Sequence, residues 1–307
     1  MNNSLSSQIF VKRDLFQKSC DHIFWSNAQP KANRHFQAGD IVFCKIDEVL
    51  RFFEYLRLTR KRIVLVTGEG AYPCDAFRQQ FLPCNVERWF ATNVTHSHPR
   101  ITALPLGLGG TADPVTLNLS TKGHDSYSLL PRIKWLYVNF RPQTNRKVRQ
   151  EIYDLFQKHA NDESWITFDP PSPNGNNEAF LNKMTQHRFV LAPPGYGVDT
   201  HRLWETLAVG SYPVVLRSTA LEPFEALPIL FVDHYSEVTL DFLKSNLERL
   251  EEKRKSSIML QMSYWEQKIQ AAKLNLKHDK MLSWEKWFRE LFFYGVQMIQ
   301  RRCQQYV

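Results

Sequence analysis

The chain has 307 residues, of which 43% are hydrophobic and 23% are charged. These fractions are ordinary for a folded globular protein and exclude a disordered or fibrous chain. The formal net charge of +8 suits anionic partners such as phosphates, acidic glycans or nucleic acids. The cations are spread along the chain and no nucleic-acid-binding module is recognisable, so nucleic acid is not an expected partner.

The cysteines indicate neither a disulfide framework nor a zinc site. Their number is odd, five, and no Cys-x-x-Cys pair occurs. Free buried thiols are therefore expected, with a Cys74–Cys84 disulfide as an unsupported alternative, and no metal is expected.

The chain shows no segment that would place it in a membrane. Residues 1–16 lack the apolar run of a secretory signal, and the longest apolar runs are strand-sized, far from the roughly 20 residues of a membrane span. We therefore expect a soluble, cytoplasmic protein without an integral membrane segment, and peripheral membrane contact stays open.

The first half of the chain alternates short apolar runs with amphipathic stretches, which is typical of an α/β fold. Strands are predicted at Ile41–Cys44, Arg62–Thr67, Glu87–Thr92 and Ile101–Leu106, and helices at Asp47–Leu58 and Cys74–Phe81. Residues 107–129 are rich in Gly, Thr, Ser, Asp and Asn, which favours a linker or long loop.

The second half repeats the pattern. Strands are predicted at Lys134–Phe140, Trp165–Phe168, Arg188–Ala192, Tyr212–Leu216 and Ile229–Val232. Helices are predicted at Asn145–Ala160, Asn177–Gln186, Thr200–Val209, Val238–Lys255, Ser263–Ala272 and Ser283–Gln300. We therefore expect two Rossmann-like domains, residues 1–128 and 129–265, with residues 266–307 forming C-terminal helices that pack back on them.

The most informative segment is Phe189–Val215, where a buried strand, a Pro/Gly turn, a helix and a second buried strand follow one another. Gly195 and Gly197 remove side chains where the turn meets the helix, so backbone N–H groups can approach an anion at the helix N-terminus. Asp199 or Thr200 could cap that helix. A Gly-rich turn of this kind is also common in α/β proteins without a ligand.

Two charged residues follow in the helix. Arg202 is placed to meet a diphosphate, and Glu205 could accept hydrogen bonds from ribose hydroxyls. The alternative is a plain ion pair between the two at i and i+3.

The joint pattern resembles exostosin-type glycosyltransferases. Three motifs carry the resemblance: F-x-L-x-P-x-G at Phe189–Gly195, R-L-x-E-x-L at Arg202–Leu207, and G-x-x-P-V-V at Gly210–Val215. Further similar segments are Tyr137–Arg141, Leu221–Val238 and Met262–Trp265, and the stretches Trp89–Asn93 and Leu104–Leu108 are similar to the acceptor side of ribitol xylosyltransferase-like proteins.

The resemblance implies a GT-B architecture, with two Rossmann-like domains and a cleft between them. The C-terminal domain would hold a nucleotide-sugar, usually a UDP-sugar, and the N-terminal domain a glycan, polysaccharide or other hydroxyl acceptor. Such enzymes need no bound metal and no cofactor beyond the donor, which agrees with the lack of an Asp-x-Asp motif in this sequence.

Without a metal, backbone amides and cations must neutralise the leaving diphosphate. The expected substrate-binding residues are Asn139, Arg141, Gly195, Tyr196, Gly197, Arg202 and Glu205. Within this set Arg202 also has a catalytic role, Glu205 holds the ribose, and Tyr196 stacks on the base or sugar or simply packs.

An inverting transfer needs a general base on the acceptor side. Glu69 is the first candidate because it follows a buried strand in Thr67–Gly70, and His96 and Asp75 are alternatives. A retaining outcome stays open. Two rivals also stay open: a different nucleotide-dependent Rossmann-type enzyme, and a protein of this fold that binds a nucleotide-sugar without turnover.

Overall fold

The computed structural model describes residues 10–25, 35–70, 72–110, 113–122, 131–170, 177–255, 257–276 and 279–304. The chain divides into two compact units. One unit, here the β1–β5 unit, comprises Phe16–Leu104 and Glu266–Val307, and the other, the β6–β10 unit, comprises Met1–Leu15 and Pro105–Trp265. This division lies before the predicted boundary at residue 128, and it groups the C-terminal helices with the first sheet.

The β1–β5 unit is a parallel sheet in sequential strand order, β1-β2-β3-β4-β5. Its strands are β1 His22–Trp25, β2 Ile41–Lys45, β3 Ile63–Gly68, β4 Val86–Thr92 and β5 Ile101–Leu104. Its helices are α2 Val49–Arg57, α3 Ala76–Gln79 and α10 Trp284–Gln304, with α9 Met262–Asn275 crossing the division.

Every residue of β3 is buried, as expected for a continuous apolar strand inside a parallel sheet. Trp89 of β4 packs edge-on against Phe53 of α2, with ring centroids 5.4 Å apart, and its indole N–H donates to the Thr67 hydroxyl at 2.8 Å. The buried indole thus finds the hydrogen-bond acceptor that it needs.

The β6–β10 unit is also an all-parallel sheet, in the order β10-β9-β8-β6-β7. Its strands are β6 Lys134–Val138, β7 Ile166–Phe168, β8 His187–Leu191, β9 Tyr212–Leu216 and β10 Leu230–Val232. Its helices are α1 Arg13–Lys18, which starts in this unit, then α4 Pro114–Lys122, α5 Arg146–Asp162, α6 Asn177–Gln186, α7 His201–Ala208 and α8 Leu240–Arg254. The chain first moves outward from β6 to β7 and then returns to β8 on the other side, so the strand order reverses between β6 and β8.

The prediction of an α/β chain with two parallel, Rossmann-like sheets is confirmed. The linker prediction for residues 107–129 is wrong over α4. Pro114 at the helix start and Asp113, whose carboxylate accepts the Thr116 amide at 2.8 Å, begin a helix that the polar composition concealed. The short elements α1 and β1 were not predicted.

Cys20, Cys44, Cys74 and Cys84 are free, as expected, and the Cys74–Cys84 alternative is wrong. Burial raises the pKa of the Cys74 thiol to about 12, which makes it an unreactive core residue. Among the described residues, no helix has the length and apolar character to cross a bilayer.

Candidate functional site

The site begins at the reversal of strand order in the β6–β10 unit. In open parallel sheets, ligands bind beyond the carboxyl ends of the two strands where the order reverses. Those strands are β6 and β8, which pair directly through Leu136↔Phe189 and Tyr137↔Val190. The chain leaving β6 carries Asn139 and Arg141, and the chain leaving β8 forms the Pro/Gly turn. The topology therefore brings the two predicted segments to one edge of one sheet.

The turn after β8 leaves three consecutive backbone donors without an acceptor. The amide of Gly195 donates to the Gly197 carbonyl at 2.9 Å and is used inside the turn. The next three amides, of Tyr196, Gly197 and Val198, donate to nothing in the part of the chain that the structure describes. Donors for an anion thus lie one residue later than the glycine pair suggested, because Gly195 closes the bend.

Arg149 of α5 holds the turn in place. Its Nε donates to the Pro194 carbonyl at 2.9 Å, its Nη2 to the Pro193 carbonyl at 2.8 Å and its Nη1 to the Arg141 carbonyl at 3.1 Å. Burial and the nearby charge of Arg202 lower the pKa of Arg149 to about 10. One guanidinium therefore ties the loop after β6 to the loop after β8.

Gly195 lies tightly against this clamp. A Cβ added there would lie 3.1 Å from Nη2 of Arg149 and 3.7 Å from Cγ2 of Thr200. Asn145 adds a second anchor, since its Nδ2 donates to the Gly195 carbonyl at 2.9 Å. A side chain at position 195 would therefore press on the Arg149 guanidinium, which would have to shift by a few tenths of an ångström to admit it.

Asp199 fixes the start of α7. Its carboxylate is buried and accepts the Leu106 amide and the Trp204 indole N–H, each at 2.7 Å. Burial raises its pKa to about 7, although these hydrogen bonds and one from the Thr200 amide act in the opposite direction. Thr200 is the residue before α7, but its side chain makes no capping hydrogen bond, so the capping expectation for Thr200 is wrong.

His201, the first residue of α7, has a fixed tautomer. Its Nδ1 lies 2.8 Å from the Gly107 carbonyl oxygen, which can only accept, so Nδ1 carries the proton. In the neutral ring the lone pair is then on Nε2. Gly107 adopts a φ of +70°, and a Cβ there would lie 2.8 Å from the Val11 carbonyl oxygen, so glycine is needed to aim this carbonyl.

Arg202 and Glu205 lie together in the first turns of α7, and both side chains are partly buried. Nε of Arg202 lies 3.4 Å from Oε2 of Glu205, Nη1 donates to the Asn139 carbonyl, and the guanidinium stacks over the Phe180 ring at 4.3 Å. The i, i+3 ion pair is therefore present. It uses only part of the guanidinium, and both side chains keep a partial exposure of 20% and 12%.

Asn139 contributes its backbone as well as its side chain. Its carbonyl accepts from Arg202, while its Nδ2 donates to the Asp169 carbonyl at 3.2 Å. The side-chain amide nitrogen is thus engaged within the protein. Asn139 joins the ends of β6 and β7 to α7, a positioning role beyond the expected ligand hydrogen bond.

Two further expected residues, Arg141 and Tyr196, lie at the surface. Arg141 is exposed after β6, and Tyr196 is 80% exposed in the turn after β8. A tyrosine this exposed does not fill a core, so simple packing does not explain Tyr196. Two hydroxyls at the same edge of the sheet, Thr200 Oγ1 and Ser218 Oγ, are buried without a hydrogen-bond partner in the described structure.

Glu69 lies in the other unit, directly after β3, in a strained conformation. Its φ is +53°, in the left-handed region that disfavours side chains. Asn93, directly after the neighbouring strand β4, has a φ of +51°. These two are the only non-glycine residues with positive φ in the described chain, and they follow paired strands at one sheet edge. Strain of this kind clusters at functional sites.

The two alternatives to Glu69 as general base, Asp75 and His96, differ in the contacts that their side chains make within the protein. Asp75 caps α3 by accepting the Arg78 amide at 2.9 Å, and it pairs with the Arg78 guanidinium at 3.0 Å. His96 is exposed, with Nδ1 3.0 Å from the Thr95 hydroxyl. The Asp75 carboxylate therefore has a structural task, since it caps α3 and pairs with Arg78.

Three site residues were missed from the sequence: Arg149, Asp199 as an internal link, and His201. Arg149 lies on the buried face of α5, where an arginine among apolar positions is itself a signal. Asp199 and His201 could not have been placed, because their partners Leu106 and Gly107 are more than ninety residues away. No cluster of three metal-binding side chains occurs within the described residues.

Comparison with known proteins gives similarity to solved structures only. No family model matches the chain, and no curated protein matches it. The chain is similar to a UDP-forming α,α-trehalose-phosphate synthase from Burkholderia vietnamiensis, with 11% identity and a TM-score of 0.44 over 75% of this chain and 70% of that chain.

A solved structure of trehalose-6-phosphate from E. coli bound with UDP-2-fluoro glucose shows 11% identity and a TM-score of 0.46, over 78% of this chain and 74% of that chain. A GtfA/B complex shows 15% identity and a TM-score of 0.37, over 78% and 57%. TM-scores this low carry no argument about what this chain binds or does.

Proposed function

We propose that this chain is an exostosin-like glycosyltransferase of the GT-B class. It transfers a sugar from a nucleotide-sugar, a UDP-sugar in the first instance, to a hydroxyl of a glycan or polysaccharide, and it does so without a metal ion. One observation carries the proposal. The unpaired amides of Tyr196, Gly197 and Val198 precede the N-terminus of α7 at the strand reversal, with the Arg202–Glu205 pair beside them.

The arrangement suits a nucleoside diphosphate. Backbone amides and a helix N-terminus together bind anionic oxygens, and an arginine adds a charge-assisted donor. Among the described residues only Nε and Nη1 of Arg202 find acceptors, so its other N–H groups can meet the diphosphate. Glu205 accepts from Arg202 through Oε2, and its Oε1 is left for the ribose hydroxyls. Tyr196 covers the base or the sugar.

The reaction moves charge towards the diphosphate. The acceptor oxygen forms a bond to the anomeric carbon while the bond from that carbon to the diphosphate oxygen breaks, and the electron pair leaves with the nucleoside diphosphate. The amide donors and Arg202 stabilise the negative charge that develops there. In an inverting reaction Glu69 takes the proton of the acceptor hydroxyl, a role that its conformation after β3 favours.

Donor binding is the first test. Thermal shifts with UDP, GDP, NAD and ATP, followed by a panel of UDP- and GDP-sugars scored for nucleotide release in the presence of EDTA, identify the donor. We expect stabilisation by a uridine or guanosine diphosphate and turnover that EDTA does not remove. Stabilisation by NAD or ATP alone would assign the site to a different nucleotide-dependent enzyme.

Two substitutions locate the site. Glu205→Ala should raise the donor KM because it removes the ribose acceptor, and Arg202→Ala should lower kcat by roughly 100-fold or more because a donor to the leaving diphosphate is lost. Lys255→Ala removes an exposed cation paired with Glu252 at 2.5 Å and serves as the control. An unchanged donor KM and kcat in both site variants would contradict the proposed donor site.

One observation favours a second candidate. Arg202 already has the Asn139 carbonyl, the Phe180 ring and Glu205 as partners. A protein that binds a nucleotide-sugar without transferring it could keep this arrangement unchanged. Binding of UDP with no release from any sugar donor, with or without glycan acceptors, would support that alternative.

A further inference from the structure

Helix α10 of the β1–β5 unit exposes a stripe of large apolar side chains. Trp284, Phe288, Phe292 and Val296 recur every four residues, and their exposed fractions are 57%, 60%, 71% and 38%. Phe293, beside the stripe, is 65% exposed. Residues four apart lie on one helix face, so these side chains form one continuous strip rather than scattered contacts. We call these five residues the aromatic stripe.

The opposite face of α10 is the one that packs on its unit. Arg57 of α2 pairs with Glu290 at 3.0 Å and stacks over the Tyr294 ring at 4.5 Å, and the Trp287 indole N–H donates to the Arg57 carbonyl at 2.9 Å. The helix is therefore attached through these residues. In the described structure the side-chain contacts that attach α10 to its unit come from this face, together with Trp284 of the aromatic stripe, which lies under Arg60.

The stripe is bordered by cations. Arg60 stacks over the Trp284 ring at 4.0 Å, and Lys286 and Arg289 are exposed on the helix itself. Glu285, the acidic residue of the helix on this side, pairs with Arg289 at 2.7 Å. Arg60 and Lys286 thus add positive charge beside the apolar strip that no acidic residue of α10 neutralises, in a chain with a net charge of +8.

The size and shape of the stripe favour a membrane surface over a second copy of the chain. At about 200 Å² per aromatic side chain, the exposed part amounts to roughly 500 Å². A stable protein interface buries about 800 Å² on each partner. A narrow strip of Trp and Phe bordered by Lys and Arg instead matches a helix that lies in the plane of an anionic bilayer.

We propose that α10 is a docking helix that lays the aromatic stripe into the headgroup region of an anionic lipid bilayer, with its cations on the lipid charges. The helix lies on the membrane and does not cross it. This docking does not depend on the proposed transferase activity, and its test does not measure that activity.

The test is co-sedimentation of the full chain with vesicles. Wild type is compared on phosphatidylcholine vesicles and on vesicles in which roughly a third of the lipid is phosphatidylserine, at low and high salt. The variant Phe288→Glu/Phe292→Glu places two charges in the stripe. The control Phe77→Glu/Leu117→Glu places the same charges at two apolar residues that are 50% and 54% exposed elsewhere. Thermal melting checks that both variants fold.

We expect binding to the anionic vesicles that salt weakens, a loss of at least about tenfold in the stripe variant, and wild-type binding in the control. Three results would each overturn the proposal. They are no binding to anionic vesicles, equal loss in the stripe variant and the control, and self-association through the stripe without vesicle binding. If the stripe variant does not fold, the same comparison is made with Phe292→Ser alone.

Discussion

Removing the side chain of Glu69 in two different ways separates backbone strain from chemistry. Glu69 has a φ of +53°, so alanine at this position keeps the strained backbone while glycine relieves it. Both substitutions delete the carboxylate. The two variants therefore lose the same side-chain contacts and differ only in the conformational cost of residue 69.

The size of the difference follows from that angle. A left-handed conformation costs a residue with a Cβ roughly 1 to 2 kcal/mol, whereas glycine adopts it freely. Glycine also gives up about 0.5 to 1 kcal/mol more backbone entropy on folding than alanine. We therefore expect Glu69→Gly to be more stable than Glu69→Ala by up to about 1.5 kcal/mol, the reverse of the usual order in a strand or helix.

Urea unfolding gives the stability of each variant, and nucleotide release from the donor identified above gives the activity. Both variants and Glu69→Gln should lose transfer by roughly 100-fold or more if Glu69 is the general base. Asn93→Gly relaxes a similar φ of +51° and should leave kcat unchanged. Greater stability of the alanine variant would refute the strain argument, and wild-type kcat in Glu69→Gln would refute the role of base.

Three further results are expected. Burial raises the pKa of Asp199 to about 7 from its ordinary 3.8, so the folded protein binds this proton more tightly than the unfolded chain does. The stability that the bound proton contributes is fully present below about pH 4 and is lost as pH rises through 7. Urea unfolding at a series of pH values should show this fall in wild type but not in Asp199→Asn. His201→Leu removes the donor to the Gly107 carbonyl while His201→Asn keeps one, so we expect Tm to fall by a few degrees in the leucine variant and to stay nearly unchanged in the asparagine variant, and equal Tm values would contradict the contact. Gly195→Ala places a Cβ 3.1 Å from Nη2 of Arg149, a guanidinium that the Pro193 and Pro194 carbonyls hold in place. We therefore expect the donor KM to rise and Tm to fall by a few degrees. An unchanged KM would contradict the role of Arg149 as a clamp on the turn.

The elements around the site followed closely from the sequence because each has a local signal. The β3 run Ile63–Val66 is continuously apolar and bounded by turn residues, and it is a fully buried strand. A helix was predicted over Thr200–Val209, and in the structure α7 ends at Ala208, with Gly210 following at a φ of +80°. Helix α4 was missed because its polar residues outweighed the start signal of Asp113 and Pro114.

The parts of the site that could not be predicted depend on contacts between distant residues. Strand order is one: no local pattern says that β8 pairs with β6 rather than with β7, and the reversal point follows from that pairing. Arg149 is another. Its helix was predicted, but its hydrogen-bond acceptors are backbone carbonyl groups of the loops after β6 and β8. Every residue type has a backbone carbonyl, so the sequence does not show which ones accept.

The Gly195–Gly197 pair shows what a sequence motif can and cannot predict about the turn. Its sequence correctly indicates a bend without side chains before a helix. It does not say which amide closes the bend and which amides remain for a ligand. In the structure Gly195 closes it, and the donors that remain begin at Tyr196.

A crystal structure of the chain with UDP tests the central claim most directly. We expect diphosphate oxygens within about 3 Å of the Tyr196, Gly197 and Val198 amide nitrogens, with the ribose hydroxyls on Glu205. A nucleotide bound away from the edge of the sheet where β6 and β8 end, or a turn whose amides point at protein or solvent while UDP is bound, would contradict the account.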